Sequence, residues 1–178
     1  LEMPKDAVPT LVLVGLLRQR GGGRTGFDLQ LKELRGAAST LKLKLEEIVT
    51  QPDAKGLESA FQIAKQKQLG AIMTIANRRF EDARKQIVEH AVKYRLPAIY
   101  PQKEFVEAGG LMSYGTDLAD LYRRAAHYVD KILKGTKPAD LPVQQATKFE
   151  FVVNLKAAKQ IGLLLSPEFL SRANKVIR

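Results

Sequence analysis

Gly70–Tyr100 reads GAIMTIANRRFEDARKQIVEHAVKYRLPAIY and contains two apolar runs on either side of a helical pattern. Gly70–Ala76 is a short apolar run, which is typical of a strand buried on both faces. Phe80–Tyr94 carries apolar residues at helical spacing, and Leu96–Tyr100 is a second short apolar run. Two buried strands joined by a helix predict a right-handed βαβ crossover, and hence a parallel sheet.

The same alternation runs through the residues before this unit. Thr10–Leu17 predicts a buried strand, Phe27–Thr40 a helix with one apolar stripe, and Leu41–Val49 a further strand. Pro52 and Asp53 open another helix. The sequence therefore predicts an α/β fold in three layers, in which helices cover both faces of a parallel sheet.

The pattern changes after this part of the chain. Residues 101–115 predict a loop with a turn at Gly109–Gly110, and a long helix follows over residues 117–134. Phe149–Asn154 predicts a last strand, and the tail ends in one or two short helices.

Composition and charge place the chain among ordinary globular proteins. At 178 residues, 45% of them hydrophobic and 27% charged, it is long enough for one domain with its own core. The absence of cysteine excludes disulfides, thiol catalysis and thiolate metal sites. The net charge of +10 comes from scattered basic residues, so we expect a solvated basic surface and no nucleic-acid partner.

Catalytic and metal-binding patterns are missing from the sequence. The two histidines, His90 and His127, fall inside predicted helices, and no Ser/His/Asp or paired-carboxylate spacing accompanies them. No Cys/His/carboxylate cluster has the spacing of metal ligands. We therefore expect a protein that is not an enzyme and that binds no cofactor and no metal.

Gly21–Gly26 (GGGRTG) has the G-x-G-x-x-G spacing of a dinucleotide-binding loop, between a predicted strand and a predicted helix. Two features disagree with that function. Four residues, Leu17–Arg20, separate the apolar run from the first glycine, and the acids at the right distance, Glu46 and Glu47, fall inside a predicted strand. We expect a disturbed glycine loop, for which a frame shift over residues 16–25 is one origin. A nucleotide-binding Rossmann-type enzyme that uses Gly21–Gly26 remains the alternative.

From Leu96 onward the sequence resembles a known family. Two segments, EAGGLMSYGTD (107–117) and KGTKPADLPVQQATKFEFVVNLKAAKQIGL (134–163), are similar to the C-terminal part of ABC-transporter periplasmic substrate-binding proteins, in the branch that binds tryptophan and other aromatic amino acids. The likeness continues upstream and covers roughly residues 27–178. It implies the type I two-lobe, periplasmic-binding-protein-like fold, with a ligand cleft between two α/β lobes.

The resemblance implies which part of that fold the chain contains. Residues 10–100 and 145–178 correspond to the C-terminal lobe, whereas residues 101–144 correspond to a crossover segment and helix of the other lobe, most of which is missing. The helix 117–134 then lacks its usual packing surface, so we expect a homodimer through this helix or its repacking onto the same chain. Its apolar stripe consists of Leu118, Leu121, Ala125, Tyr128 and Ile132.

The resemblance also implies a function: a truncated substrate-binding component of an ABC transport system, which binds a small, amino-acid-like organic solute and works with an ABC permease. We expect weak binding, because closure around a ligand needs two lobes. The family is periplasmic; the chain shows no signal peptide and would stay in the cytoplasm if expressed as it stands. A third possibility is a fragment that assembles but binds no ligand.

Ligands of parallel α/β sheets bind at the carboxyl ends of the strands. An amino-acid-like solute needs hydrogen-bond donors, an acceptor for its ammonium group and apolar walls. The candidates are Asn77 and Arg78 as donors, Asp117 as acceptor, Tyr100 and Tyr114 as walls, and Gly115 beside them. Structural alternatives are a helix N-cap for Asp117, solvation for Arg78 and a core position for each tyrosine.

Overall fold

The computed structural model describes residues 1–21 and 24–178. Strands and helices alternate along the chain, with one 3-10 turn at Pro138–Asp140. In chain order the elements are α1 (Glu2–Ala7), β1 (Leu13–Gln19), α2 (Arg24–Thr40), β2 (Lys44–Thr50), α3 (Ala54–Gln66), β3 (Ala71–Thr74), α4 (Arg78–Asp82), α5 (Arg84–Lys93), β4 (Ala98–Tyr100), α6 (Lys103–Glu107), β5 (Met112–Thr116), α7 (Leu118–Leu133), β6 (Phe149–Asn154), α8 (Leu155–Ile161), α9 (Pro167–Ser171) and β7 (Lys175–Ile177).

The strands of the described residues form a seven-stranded sheet in the order β2-β1-β3-β4-β5-β6-β7. Neighbouring strands are parallel, except that β5 and β6 run antiparallel. β1 pairs with both β2 and β3, so the chain leaves β1 toward one edge of the sheet and later crosses back to the other side. This arrangement confirms the predicted α/β class with a mainly parallel sheet.

Apolar side chains pack on both faces of the sheet. Along β4 they alternate: Ala98 and Tyr100 belong to a cluster with Phe61 of α3, while Ile99 belongs to a second cluster with Met112 and other residues of the opposite face. The central strands β1, β3 and β4 are therefore buried on both sides, which explains why they appear in the sequence as short continuous apolar runs.

Short elements account for most differences from the sequence prediction. The helix expected over 80–94 is divided into α4 and α5 at Ala83, which has φ −88° and ψ 8°. The predicted loop 101–115 contains α6, whose Phe105 and Val106 are both buried. Helices of five or six residues and strands of three are too short to show a periodicity, so α1, α6 and β7 could not be recognised.

The sheet continues further along the chain than residue 100. Met112–Thr116 forms β5, which pairs with β4 on one side and with β6 on the other. β5 thus joins the sheet although it lies within residues 101–144, and the division of the chain at residue 101 stays a prediction.

The long helix α7 is held mainly by the segment that returns from it to the sheet. The hydroxyl of Tyr128 donates to the carbonyl oxygen of Pro142 over 2.6 Å, and Lys148 lies 3.0 Å from the carboxylate of Asp120. Most of the predicted apolar stripe is still exposed: Leu118 is 42% and Ile132 40% exposed. The described residues therefore leave most of this stripe uncovered, and they show no repacking of the chain over it.

Candidate functional site

A groove of about 900 Å³ opens where β3 and β4 end. Met73, Ile75 and Ile99 line it from the sheet, and helices α1 and α2 contribute the residues of its two sides. Ala76, Pro101 and Tyr114 line it from the carboxyl ends of the strands. The groove runs along one face of the sheet from Leu41, before β2 begins, and its end at Ala76 and Pro101 reaches the edge at which parallel α/β sheets bind their ligands.

The lining of the groove is mainly apolar. Leu29, Leu34 and Leu41 contribute alkyl side chains, and the charged side chains among the described lining residues are those of Glu2 and Glu33. No lysine or arginine is among the described residues that line it. The groove therefore fits an apolar body, and its charged side chains offer carboxylates to a polar group of a ligand.

Asn77, one of the expected donors, caps helix α4. Its Oδ1 accepts hydrogen bonds from the backbone N–H groups of Arg79 at 3.0 Å and Phe80 at 3.3 Å. Its Nδ2 donates to Oε1 of Gln19, at the end of β1, over 3.0 Å. The capping role follows from the residue type, since asparagine is among the best N-caps. The partner Gln19 carried no signal in the sequence.

Arg78, the second expected donor, lies outside the groove. Its side chain is 82% exposed, and its Nε is 3.3 Å from Oδ1 of Asp82, one helical turn further on. This is the geometry of a solvated i,i+4 ion pair. A contact between Arg78 and a ligand stays a prediction.

Tyr100 lines the groove but belongs to the core. The residue is 1% exposed, and its ring stacks on Phe105 at 4.6 Å between centroids. Its hydroxyl has no hydrogen-bond partner in the described part of the chain, and burial raises the pKa of this phenol. Because Phe105 lies in the cluster opposite Ile99, the Tyr100 ring packs on the face of the sheet that is away from the groove.

Tyr114 is the expected wall residue that reaches the groove while remaining exposed. It is 44% exposed, lines the groove, and stacks in parallel on Phe149 at 5.7 Å between ring centroids. Phe151, opposite it in the β5–β6 ladder, touches the same ring edge-on. The three rings form an aromatic platform beside the groove, with Tyr114 nearest to it.

Gly115 and Asp117 have structural contacts. A Cβ atom on Gly115 would overlap the carbonyl oxygen of Pro101, so only glycine allows β5 to approach the end of β4 this closely. Asp117 is the N-cap of α7, because its Oδ1 accepts from the backbone N–H of Asp120 over 3.0 Å. Neither residue is among those that line the groove.

Of the six candidates, Tyr100 and Tyr114 are among the lining residues, but the ring of Tyr100 packs on the opposite face of the sheet. The residues that the sequence did not point to are mostly on helix surfaces. In the sequence, α2 showed an apolar stripe, which we assigned to the core. Part of that helix nevertheless faces the groove. The missed lining residues include Glu2, Met3, Leu29, Gln30, Glu33 and Leu34.

The glycine motif lies only partly within the described residues, which leave out residues 22 and 23. β1 continues to Gln19, so Arg20 alone separates the strand from Gly21, and the expected four-residue gap is wrong. Glu46 and Glu47 do lie inside β2, as predicted. Both are engaged within the protein, Glu46 with Lys67 and Glu47 with arginines of β1 and α2. The two acids at the spacing of a dinucleotide-binding motif are therefore already paired with basic residues of the protein.

Two further features are absent from the described residues. No helix among them is long and apolar enough to cross a membrane. No three of their histidine and carboxylate side chains come together in a way that could hold a metal ion.

Solved structures share this fold over almost the whole chain. A conserved domain protein from Vibrio cholerae has a TM-score of 0.86 at 26% identity, over 98% of this chain and 58% of that one. An ABC domain from Streptococcus pneumoniae, in complex with L-Trp, has a TM-score of 0.84 at 24% identity, over 99% and 60%. A substrate-binding protein with adhesive properties from Clostridium difficile, in its ligand-free, open form, has a TM-score of 0.73 at 18% identity, over 99% and 58%. The chain thus spans about three fifths of the length of these relatives.

The sequence comparison agrees with the structural one. No curated protein matches the sequence. A family model described as ABC transporter substrate binding protein matches residues 2–177, which is nearly the whole chain. The chain therefore belongs to the ABC transporter substrate-binding protein family.

Proposed function

We propose that this chain is the solute-binding component of an ABC transport system and takes a small, amino-acid-like organic solute in the groove at the end of β3 and β4. The observation that carries the proposal is the groove itself: about 900 Å³, mainly apolar, at the ligand-binding edge of the sheet. Tyr114 supplies an exposed aromatic wall. The carboxylate of Glu33 supplies an acceptor for an ammonium group.

The sheet described above would be one wall of the complete site. We propose that residues 10–100 and 145–178 form the C-terminal-lobe-like domain together with β5, and that the crossover segment begins at Asp117. About two fifths of the length of the solved relatives lies outside the part that this chain covers. Binding by closure of two walls loses most of its contacts when one wall is absent. We therefore expect weak binding by the 178 residues alone, in the millimolar range or about −4 kcal/mol.

The other components of the function follow from the family. An ABC permease is the proposed partner, the periplasm is the proposed location, and the chain binds its solute without chemical change. Helix α7 presents apolar side chains to solvent, among them Tyr122, Val129 and Leu133. We propose that a second copy covers this surface, since exposed apolar stripes of this kind mark interfaces.

Isothermal titration calorimetry tests the binding site. L-tryptophan is the first probe, followed by phenylalanine and leucine. Tyr114→Ala should abolish the heat of binding, because it removes the aromatic wall. Leu164→Ala removes an apolar side chain that is 94% exposed and does not line the groove, so it should leave binding unchanged.

Two results would contradict the proposal. Equal affinities of the wild type and Tyr114→Ala for the solute would rule out the groove as the binding site. A thermal shift with NAD(H) or NADP(H), together with none for any amino acid, would favour the nucleotide-binding alternative at Gly21–Gly26.

A further inference from the structure

The exposed face of α7 has the residue spacing of a surface that packs against another helix. Five residues recur at alternating intervals of four and three positions: Leu118, Tyr122, Ala125, Val129 and Ile132. These five residues, the seam of α7, are all exposed. Alternation of four and three keeps apolar side chains on one line along a helix, and it is the spacing with which two helices pack knobs into holes. The seam therefore fits a second helix.

A different side of α7 is covered by residues 142–148 of the same chain. Asp120 is 7% exposed, and Nζ of Lys148 lies 3.0 Å from its carboxylate. The hydroxyl of Tyr128 donates to the carbonyl oxygen of Pro142 over 2.6 Å. These contacts fix the orientation of the helix about its own axis, and they leave the seam facing outward.

Two residues of opposite charge flank the seam on one side. Arg123 and Asp130 are seven positions apart in the sequence, which is about two helical turns, so they lie on the same flank of α7. Their side chains are 68% and 51% exposed. Each forms an ion pair within its own helix, Arg123 with Asp120 at 3.5 Å and Asp130 with Lys134 at 2.9 Å. Exposed pairs of this kind contribute little to stability, so both charges are available to a partner.

The seam is complementary to itself when two copies run antiparallel. Ala125, the smallest residue of the seam, then faces Val129 of the second copy, so a small side chain meets a larger one. In the same register Tyr122 faces Ile132 of the second copy. A two-fold axis near residue 127 repeats each of these contacts on the other half of the pair.

The flanking charges favour the antiparallel orientation over the parallel one. Antiparallel helices bring the same flank of both copies together, and this register places Arg123 level with Asp130 of the second copy. The two-fold axis makes that ion pair reciprocal. In a parallel pair the same flank would instead face the opposite flank of the partner, where the charged residues, Arg124 and Lys131, are both basic.

We propose that α7 packs against α7 of a second copy as an antiparallel pair, with reciprocal ion pairs between Arg123 and Asp130. This inference rests on the second copy that is part of the proposed function, and it adds the orientation and register of the contact. Because both ion pairs lie at the rim of the seam, they select the orientation, while the apolar residues of the seam supply the buried area.

Crosslinking of single cysteines tests the orientation. The chain contains no cysteine, so an introduced cysteine is unique. At 1.5 Å per residue, an axis near residue 127 separates the two copies of residue 126 by about 3 Å along the helices, and those of residue 118 by about 27 Å. A short bismaleimide should therefore link Ala126→Cys and leave Leu118→Cys unlinked. Equal linking of both variants, or of neither, in a protein that is a dimer by light scattering would overturn the antiparallel orientation.

Mixing of two charge variants tests the ion pairs. Arg123→Asp places a carboxylate against Asp130 of the second copy, and Asp130→Arg places a guanidinium against Arg123. Each variant alone should therefore raise the dimer dissociation constant by about tenfold or more. In a one-to-one mixture the two variants complement each other at both ends of the contact. We expect heterodimers with about the affinity of the wild type, measured by light scattering during size exclusion.

The outcomes separate this inference from the proposed function. A mixture that stays monomeric would overturn the pairing of Arg123 with Asp130, even where the wild type is a dimer. Heterodimers in the mixture would support it, because an effect of either substitution within its own chain cannot be rescued by mixing. A monomeric wild type would overturn both this inference and the proposed second copy, whereas calorimetry with L-tryptophan tests the solute site independently of either.

Discussion

The hydroxyl of Tyr94 donates to the carboxylate of Glu58 over 2.6 Å and so connects the end of α5 with α3. Lys93 adds an ion pair to the same carboxylate at 3.0 Å, and Nδ1 of His90 lies 3.2 Å from it. The rings of His90 and Tyr94 both stack on Phe61, which is fully buried. The carboxylate of Glu58 therefore holds the outer side of a helix pair whose inner side packs in the core.

Glu58→Gln should reduce the acid sensitivity of the protein. The hydrogen bond from Tyr94, and then that from Lys93, lowers the pKa of Glu58 below its ordinary value of 4.5. A carboxyl whose pKa is lowered by folding contributes stability that is fully present above 4.5 and is lost as the pH falls through the folded-state pKa. The difference in free energy of unfolding between wild type and variant should therefore shrink below pH 4.5.

Urea denaturation of both proteins across this range measures that difference. Glu89→Gln is the control, because Glu89 is an exposed carboxylate on α5, the helix that carries His90 and Lys93. A gap between wild type and Glu58→Gln that stays constant as the pH falls would mean that the carboxylate contributes nothing through its charge.

Gly115→Ala should destabilise the fold, by about 2 kcal/mol or more, because the new Cβ would overlap the carbonyl oxygen of Pro101 and force β5 away from the end of β4. Gly36→Ala is the matched control: Gly36 lies inside α2 with no atom near its missing Cβ. That substitution should stabilise by about 0.5–1 kcal/mol, since alanine is the better helix former. We expect the urea midpoint of Gly115→Ala to fall below that of the wild type and the midpoint of Gly36→Ala to rise above it. An unchanged midpoint for Gly115→Ala would contradict the prediction.

Tyr100→Phe should leave the protein as stable as the wild type or stabilise it by about 1 kcal/mol, since it removes a buried hydroxyl that has no partner among the described residues. Thr74→Val makes the same test one strand away, because Oγ1 of Thr74 is also buried without a partner. Thermal unfolding of both variants measures the effect. A loss of stability on either substitution would reveal a hydrogen bond of that hydroxyl, for instance to a buried water.

Local signals were sufficient for most of the fold. The buried strands appear as apolar runs, and Asp53 and Asp117 mark helix starts because an N-cap interacts only with residues two or three positions ahead. The end of β1 was misjudged for a non-local reason. Arg18 and Gln19 look like loop residues, but Glu47 of the neighbouring strand pairs with Arg18 at 3.3 Å and allows the strand to continue.

The site was less accessible to sequence reasoning, because the packing of neighbouring elements decides which strand-end side chains reach the groove. Tyr100 and Tyr114 are the same residue type in adjacent strands. The ring of Tyr100 falls on the face where Phe105 of α6 covers it, whereas the ring of Tyr114 falls on the face with the open groove. The hydrogen bond of Asn77 to Gln19 likewise joins residues that are 58 positions apart in the chain.

An exposed apolar stripe of α7 consists of Tyr122, Val129 and Leu133. It gives the last prediction, which concerns self-association. Tyr122 is 74% and Leu133 82% exposed, and Val129 lies between them on the same helix. Burying such side chains against a second copy gains about 25 cal/mol per Å² of apolar area, which favours association. Light scattering during size exclusion should therefore give a mass near twice the 19.8 kDa of one chain.

Val129→Glu should return the mass to that of a single chain, because the interface would bury an unpaired carboxylate. Leu164→Glu places the same charge on an exposed residue outside α7, and should leave the mass unchanged. If the wild type is already a monomer, the stripe of α7 is not a self-association surface, and the weak binding expected of this chain would then reflect one lobe alone. If both variants dissociate the dimer, the contact lies elsewhere, and the stripe is left for a partner other than a second copy.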